Sequence, residues 1–480
     1  MIFNSLEFSI FLPLVFLIYW GFRNSRRCQN AILVVASYVF YGWWDWRFLF
    51  LIAASSLCDF IVGILLSDGE GARRRKMLLA TSLVINLGLL GFFKYYNFFV
   101  ESFEGAFAFF GNKISLGSLE WILPVGISFY TFQTLSYSID LYRRKIEPVR
   151  DPVAFFAFVS FFPQLVAGPI ERASNLAPQF LKERSFKYQE ASDGMRQILW
   201  GLFKKIVIAD NCAILVNQVF ASHSEVGGGV LLLAVILFSF QIYGDFSGYS
   251  DIAIGASRLF GFQLKQNFAY PYFSRNIAEF WRRWHISLSS WFKDYVYIPM
   301  GGSRVGRWLN LRNAFVVFLL SGFWHGANWT FVFWGGLHAL FLLPSVMSGR
   351  NRVFLEPIER KKLPSAREFI QMLTTFVLVS ISWVFFRAES LPQAFDYLGR
   401  MLTTLHLDFP GLLAFVDLSG ETLVFILVML VVEWVQRHRN HGFDLSALRR
   451  QWLRWLIYYL TVYVLYYYGG DPQDFIYFQF

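Results

Sequence analysis

Apolar residues gather along this chain in runs of roughly twenty, the length at which a helix crosses a hydrocarbon core. The pattern predicts spans near 5–22, 29–44, 48–66, 77–100 and 121–139, and again near 196–221, 230–247, 313–328, 329–347, 368–386, 421–436 and 455–469. That is an all-α, polytopic membrane protein of about eleven to twelve transmembrane helices. With no linker, low-complexity tract or internal repeat in sight, residues 1–480 read as a single membrane domain. Met1 to Trp20 lacks a basic n-region and a small-residue cleavage site, so it reads as the first span rather than as a removed signal peptide.

The polar connections alternate in charge. Arg23, Arg26 and Arg27 follow the first span, Arg73, Arg74, Arg75 and Lys76 the third, and Arg143, Arg144 and Lys145 the fifth, whereas residues 101–120 carry three glutamates and one lysine. Basic loops stay on the cytoplasmic side. Both termini are therefore expected outside, and the basic stretches 350–367 and 437–454 inside.

Two stretches break the pattern. Residues 153–170 lie between basic loops and contain Phe161-Phe162-Pro163-Gln164-Leu165-Val166-Ala167-Gly168-Pro169. Prolines and glycine interrupt the backbone ladder, which is tolerated at membrane depth only where protein or a water-filled cavity satisfies the freed groups. A re-entrant element is expected, with a kinked helix as the alternative. The second stretch, from Tyr249 to Asn313, mixes Arg282, Arg283, Lys293, Arg304 and Arg307 with Phe280, Trp281, Trp284, Trp291, Phe292, Tyr295 and Tyr297. That interleaving suits helices lying in the cytoplasmic interface.

Composition agrees with the membrane reading. Hydrophobic residues make up 56% of the chain, charged residues 16% and mean hydropathy is +0.43, outside the range of soluble domains of this length. The net charge of +10 would raise nucleic acid as a partner in a soluble protein; here the loops already account for it. Cys28, Cys58 and Cys212 show no paired spacing and read as core residues, with neither a disulfide framework nor a metal site.

Against that apolar background one histidine stands out. His325 ends the run Leu319-Leu320-Ser321-Gly322-Phe323-Trp324-His325-Gly326-Ala327-Asn328. An ionisable group at membrane depth is a functional-site candidate by default; the alternative is a buried imidazole satisfied by a neighbouring carbonyl. His285 lies in Trp281-Arg282-Arg283-Trp284-His285-Ile286-Ser287. Tyr243, Asp245, Ser247, Tyr249, Ser250 and Asp251 cluster at the end of another apolar run. Those aspartates either line a tunnel or brace an arginine of the cytoplasmic segment, and buried Gln133 and Gln164 would want hydrogen-bond partners.

Taken in order, Trp281 to Ser287, Trp291-Phe292-Lys293-Asp294-Tyr295, Ile298-Pro299-Met300-Gly301-Gly302 and Phe323-Trp324-His325-Gly326 resemble the membrane-bound O-acyltransferase superfamily. More narrowly, they are similar to the branch typified by the membrane subunit of bacterial alginate O-acetyltransferase. Gly126 to Gln133, Phe162 to Ile170, Asp245 to Asp251 and Phe475 to Phe480 extend the likeness over nearly the whole chain. The resemblance implies the fold of that superfamily, with re-entrant and interfacial helices around a central tunnel. It also implies transfer of an acyl group from a cytoplasmic donor to a hydroxyl, with His325 as principal catalytic residue and His285 as the second.

The chemistry fits on its own terms. Transfer from a thioester to a hydroxyl needs a base for the alcohol proton and donors for the tetrahedral oxyanion. An imidazole near neutrality suits the first task, giving His325 as general base; His285 would orient the donor, bond the oxyanion or polarise the carbonyl. No Gly-x-Ser-x-Gly elbow surrounds Ser321, so direct transfer is preferred to an acyl-enzyme. Trp324, Asn328, Tyr243, Asp245, Ser247, Asp251, Gln133, Arg282 and Arg283 complete the candidate substrate and tunnel residues.

By resemblance, acetyl-coenzyme A is the donor and no cofactor or metal is bound. Arg282, Arg283 and Lys293 would suit its phosphates. An exported polysaccharide such as alginate, cellulose or peptidoglycan glycan is the acceptor, a periplasmic transferase the partner, and the bacterial inner membrane the location. Transfer of D-alanyl to a cell-wall polymer, or a polysaccharide or acyl transporter, stand as alternatives. The segment Asp471 to Phe480 reads either as a docking site or as a packed terminus.

Overall fold

A computed structural model describes residues 1–68, 71–111, 114–119, 122–349, 353–358, 363–405, 409–469 and 472–476. Among them the secondary structure is helical throughout, without a strand. The chain forms two compact units, residues 1–191 with 256–265, and residues 192–255 with 266–480.

The first unit holds α1 (Leu6–Gly21), α2 (Arg26–Asp45), α3 (Leu49–Asp68), α4 (Ala72–Leu90), α5 (Tyr96–Phe109), α6 (Ile127–Tyr142), α7 (Pro152–Ser160), α8 (Phe162–Leu165) and α9 (Ala173–Phe180). Its core includes a polar knot rather than apolar side chains alone. Asp59 of α3 accepts from Ser82 Oγ at 2.6 Å, from Asn86 Nδ2 at 2.9 and 3.1 Å, and from Ser138 Oγ at 3.3 Å, all fully buried. A buried carboxylate is tolerable only when hydrogen-bonded like this, and the knot ties α3, α4 and α6 together.

The stretch 153–170 is a broken helix enclosed by protein. Phe161 leaves helical geometry at φ −50°, ψ 106° between α7 and α8. The freed Phe162 N–H donates to Ser37 Oγ at 3.0 Å, and Gln164 Nε2 donates to Gln133 Oε1 at 2.6 Å. Gln133 Nε2 in turn donates to the Phe158 carbonyl at 2.8 Å, so both glutamines brace the break.

The second unit holds α11 (Asn211–Ala221), α13 (Ile277–Arg283), α14 (Ile286–Phe292), α15 (Arg307–His325), α16 (Trp329–Met347), α17 (Ala366–Arg387), α18 (Leu391–Thr403), α19 (Phe409–Gln436) and α20 (Gln451–Tyr467), with most of α10 (Tyr188–Leu202) and of α12 (Gly228–Leu259). Each expected span overlaps helix, with ends displaced by up to a dozen residues, and those at 77–100 and 196–221 each cross two helices joined by a π-helical stretch. By length and composition, six helical runs among the described residues suffice to cross a membrane: 26–68, 72–109, 228–259, 329–347, 366–387 and 409–436. The shortfall from eleven or twelve has simple causes. Helices α1, α6 and α20 have only 16, 16 and 17 residues, and α15 opens with Arg307 and Arg312. The run 26–68 has 43 residues and is interrupted by a 3₁₀ turn at Trp46–Phe48. At 1.5 Å per residue this is about twice the thickness of a hydrocarbon core.

The segment expected to lie in the interface is largely enclosed. Phe280, Trp281, Trp284, Trp291 and Phe292 are buried, while Lys293 is exposed. The terminal aromatics divide: Phe475 and Ile476 are buried, whereas Asp471 and residues 477–480 lie outside the described residues. The cysteines are all free, and Cys28 is exposed rather than in the core.

Candidate active site

His325 is the last residue of α15 and sits where α15 meets α16 most closely. Gly322 and Gly335 face one another across this hairpin; a Cβ on Gly322 would collide with the Phe331 carbonyl, and one on Gly335 with the Phe318 carbonyl. Small residues are what let membrane helices approach to backbone contact. Asn328 then starts α16 as its N-cap, accepting from Thr330 N–H at 3.0 Å, while its Nδ2 donates to the Glu389 carbonyl at 2.9 Å. Its observed work is to fix the hairpin.

His285 occupies the break between α13 and α14 at φ 44°, ψ 54°, one of three non-glycine residues with positive φ among those described. The left-handed region disfavours a side chain by about 1–2 kcal/mol, and such residues persist where the surroundings over-determine them. Here Asn267 supplies those surroundings. Its carbonyl accepts from Ile286 N–H at 2.9 Å, and its Oδ1 accepts from Ser287 Oγ at 2.8 Å and lies 3.1 Å from His285 Nδ1.

The fold brings the two histidines together from positions forty residues apart in the chain. Their ring centroids are 6.1 Å apart and both rings are buried, at 0% and 2% exposure. An aromatic box surrounds them. Phe246 lies 4.7 Å from His285 edge-on, Trp324 5.9 Å from His285, and Trp334 and Phe386 5.2 and 5.4 Å from His325. The α13–α14 break lies outside the runs long enough to cross a membrane, and burial there pushes the His285 imidazolium down to about 3. His285 is neutral at pH 7.

Beside the box opens a cavity of about 400 Å³, lined by Trp281, Arg282, Ile286, Lys293, Ser321 and Val346 among others. Its wall includes two basic side chains and neighbours of both histidines, Ile286 next to His285 and Ser321 one turn before His325, but neither imidazole itself. A hollow of about 670 Å³ in the first unit, between Arg47, Phe50, Ala54 and Phe93, contains no candidate base or nucleophile.

The remaining sequence candidates divide by what they touch. Arg282 lines the cavity and donates to the Phe354 carbonyl at 2.7 Å, whereas Arg283 is buried against Glu279 at 2.6 Å. Tyr243 donates to Glu433 at 2.8 Å. Asp251 pairs with Lys204 at 2.6 Å and accepts from Gln197 at 2.7 Å; Ser247 accepts from the same lysine at 2.8 Å. Asp245 pairs with Lys205 at 2.8 Å. The partners of the two aspartates are thus lysines from the π-helical stretch Phe203–Asp210 between α10 and α11, not arginines of the 282–283 motif. Gln133 belongs to the first unit, at the α7–α8 break.

Several buried polar residues escaped the sequence reading. Lys204 and Lys205 sit inside an apolar run, a visible signal in retrospect. His338 is fully buried, accepts from Trp281 Nε1 at 3.2 Å and meets Ser382 Oγ at 2.9 Å, which locks α13 to α16 and α17. Asn267 carries no sequence signal of its own. No group of three or more histidine, cysteine or acidic side chains able to hold a metal occurs among the described residues.

Residues 106–385 match the model of the membrane-bound O-acyltransferase family. The chain is 39% identical over 405 residues to "Probable alginate O-acetylase AlgI" of Pseudomonas aeruginosa, covering 84% of this chain and 75% of that protein. It is 36% identical over 432 residues to "Peptidoglycan O-acetyltransferase" of Helicobacter pylori, covering 84% and 80%. Identity to "Teichoic acid D-alanyltransferase" of Bacillus subtilis is 29% over 231 residues, covering 45% and 58%. With the family model and these relatives spanning most of its length, the chain belongs to the membrane-bound O-acyltransferase family and is a multi-pass membrane O-acyltransferase.

Proposed function

We propose that this protein takes an acetyl group from acetyl-coenzyme A on the cytoplasmic side of a bacterial inner membrane and passes it towards an exported polysaccharide, with a periplasmic transferase as partner. The observation that carries the reading is the pair of buried imidazoles 6.1 Å apart, with a cavity lined by Arg282 and Lys293 against the residues next to them. The preference for acetyl over D-alanyl rests on the relatives. Those named as O-acetylating enzymes match over 84% of this chain, the D-alanyltransferase over 45%.

In this reading Arg282 and Lys293 hold the donor's phosphates, since cationic side chains on a cavity wall suit an anionic cofactor-like substrate. The thioester reaches the histidines along the cavity. His325 takes the proton of the attacking hydroxyl as its oxygen bonds the acyl carbon; the tetrahedral intermediate then expels the thiolate, which is protonated to free coenzyme A. The aromatic box keeps water from competing for the acyl group. Tyr243, Asp245, Ser247 and Asp251 support the site through the Lys204, Lys205 and Glu433 contacts, and Trp324 walls it.

The test is transfer of label from radiolabelled acetyl-coenzyme A to envelope polysaccharide, with coenzyme A release, in proteoliposomes carrying wild type, His325→Ala or His285→Ala at equal expression. Donor-dependent turnover abolished by His325→Ala supports the reading. Undiminished transfer by a folded His325→Ala protein removes the general-base role, and wild-type inactivity with candidate acceptors and partners supplied removes the acetyl-donor reading.

A further inference from the structure

Building on the acyl-transfer reading above, we infer that Asn267 is a positioning residue that locks His285 in the Nδ1–H tautomer, so that His285 Nε2 meets the reactants as a hydrogen-bond acceptor and not as an oxyanion donor.

The assignment follows from which atoms can donate. The Ser287 backbone N–H, a group that only donates, points at the Asn267 side chain at 3.3 Å, so the atom there is the carbonyl oxygen Oδ1. Ser287 Oγ donates to the same oxygen at 2.8 Å. At the other end of the amide, Asn267 Nδ2 donates to Ser250 Oγ of α12 at 3.1 Å. His285 Nδ1 lies 3.1 Å from Oδ1, an acceptor, and must therefore carry its proton. In a neutral imidazole one nitrogen donates and the other accepts, which leaves the lone pair on Nε2. Nε2 is buried without a hydrogen-bond partner among the described residues.

Geometry and electrostatics point the same way. Asn267 and His285 are both completely buried, and the backbone bond from Ile286 to Asn267 holds the strained turn against the connection that follows α12. The side chains facing the ring are Phe246 from α12, Phe268 from that connection, and Trp324 and His325 from α15. His325 is the titratable one of these. Of the three roles open to His285, bonding the oxyanion and polarising the carbonyl both need a proton on Nε2. The Asn267 contact removes that proton. What remains is orientation of a reactant by accepting its hydrogen bond at Nε2.

The tautomer is read directly by ¹⁵N spectroscopy of full-length histidine-labelled protein in lipid bilayers, with the His285 signals assigned by their loss in His285→Gln. Protonated Nδ1 and bare Nε2 are expected at pH 7, and a mixture of tautomers in Asn267→Ala. A protonated Nε2 in wild type overturns the assignment, whether or not acetyl-coenzyme A is the donor. Kinetics supply the second reading. Asn267→Ala is expected to lower kcat at least tenfold with the donor KM changed less than threefold. Asn267→Asp keeps the acceptor for Ser287 and His285 but places a carboxylate against Nδ1–H. It is expected to restore activity at alkaline pH and to raise the midpoint of the His285 ¹⁵N titration by a unit or more. Wild-type kcat in Asn267→Ala, or an unmoved ¹⁵N midpoint in an active Asn267→Asp, overturns the positioning role. Should Asn267→Ala fail to fold, Ser250→Ala touches only Nδ2 and is expected to lower kcat two- to fivefold with intact folding; no change in kcat counts against the relay. Inactive wild type, by contrast, removes the donor reading and leaves the tautomer measurement standing.

Discussion

Lys205 and Asp245 form a buried ion pair at 2.8 Å that also ties down the chain's last described residues. Lys205 bridges on to Asp210 at 2.7 Å and donates to the Gln473 carbonyl at 3.0 Å, while Asp245 accepts from Ile476 N–H at 2.7 Å. From there contacts lead to the site, since Phe475 packs 6.1 Å from Phe246, which lies against His285.

Removing one member of such a pair strands the other charge. Lys205→Met and Asp245→Leu are each expected to destabilise the protein by about 3–5 kcal/mol, whereas the double variant recovers part of the loss. Thermal melting in detergent, followed by size-exclusion chromatography, checks this; additive losses would argue against a coupled pair. Proteolysis near residues 472–476 should also quicken in the single variants.

The α15–α16 hairpin depends on two glycines in backbone contact. Gly322→Ala and Gly335→Ala force a Cβ into a facing carbonyl, and overpacking of this kind is expected to cost about 1–3 kcal/mol. Because His325 ends α15 one turn beyond Gly322, lower acyl-transfer activity per folded molecule should accompany the loss. Equal melting temperatures with full activity would show that the helices separate freely.

The two neighbouring arginines should behave differently. Arg282→Ala is expected to raise the donor KM several-fold with little effect on folding, as is Lys293→Ala, and the difference should shrink at high salt. Arg283→Ala leaves Glu279, 1% exposed, without one of its cations, so the expected loss is in yield and melting temperature. Donor titrations at two ionic strengths separate the cases.

Burial sets the pH behaviour of His285. Its folded value of about 3 lies below the ordinary 6.5, so the imidazolium is disfavoured in the folded protein and the ring stays neutral as pH falls from 7 to 5. Any acid inflection of wild-type activity in that window belongs to another group, and the residual activity of His285→Gln should keep its midpoint. A ¹⁵N titration of His285 with a midpoint near 6.5 would contradict the burial argument.

Replacing His325, the proposed general base, is expected to lower kcat by about 10²–10⁴-fold with the donor KM within a few-fold, because a base acts on the transition state and contributes little to ground-state binding. Measured kcat and KM for His325→Ala in proteoliposomes check it.

Much of the architecture was legible in the chain because a bilayer constrains sequence strongly. Backbone groups in hydrocarbon must bond within their own helix, so apolar length marked the helical stretches, six runs of which are long and apolar enough to cross, and Pro163 and Gly168 marked the break in 153–170. Motif context marked His285 and His325 as candidates. Long-range partners were not legible. Asn267 is an ordinary polar residue in a connection, and nothing local says that it meets Ser250, His285 and Ser287. Asp245 and Asp251 announced a need for partners, yet the sequence left tunnel lining and an arginine brace both open where the fold supplied Lys205 and Lys204. The sequence by itself determined a helical membrane protein and the residue types for proton transfer, because hydropathy and ionisable groups at depth are local properties. Only the tertiary structure decided that two histidines share one aromatic box and which nitrogen of His285 bears the proton, because tautomer and proximity depend on which distant helix faces which.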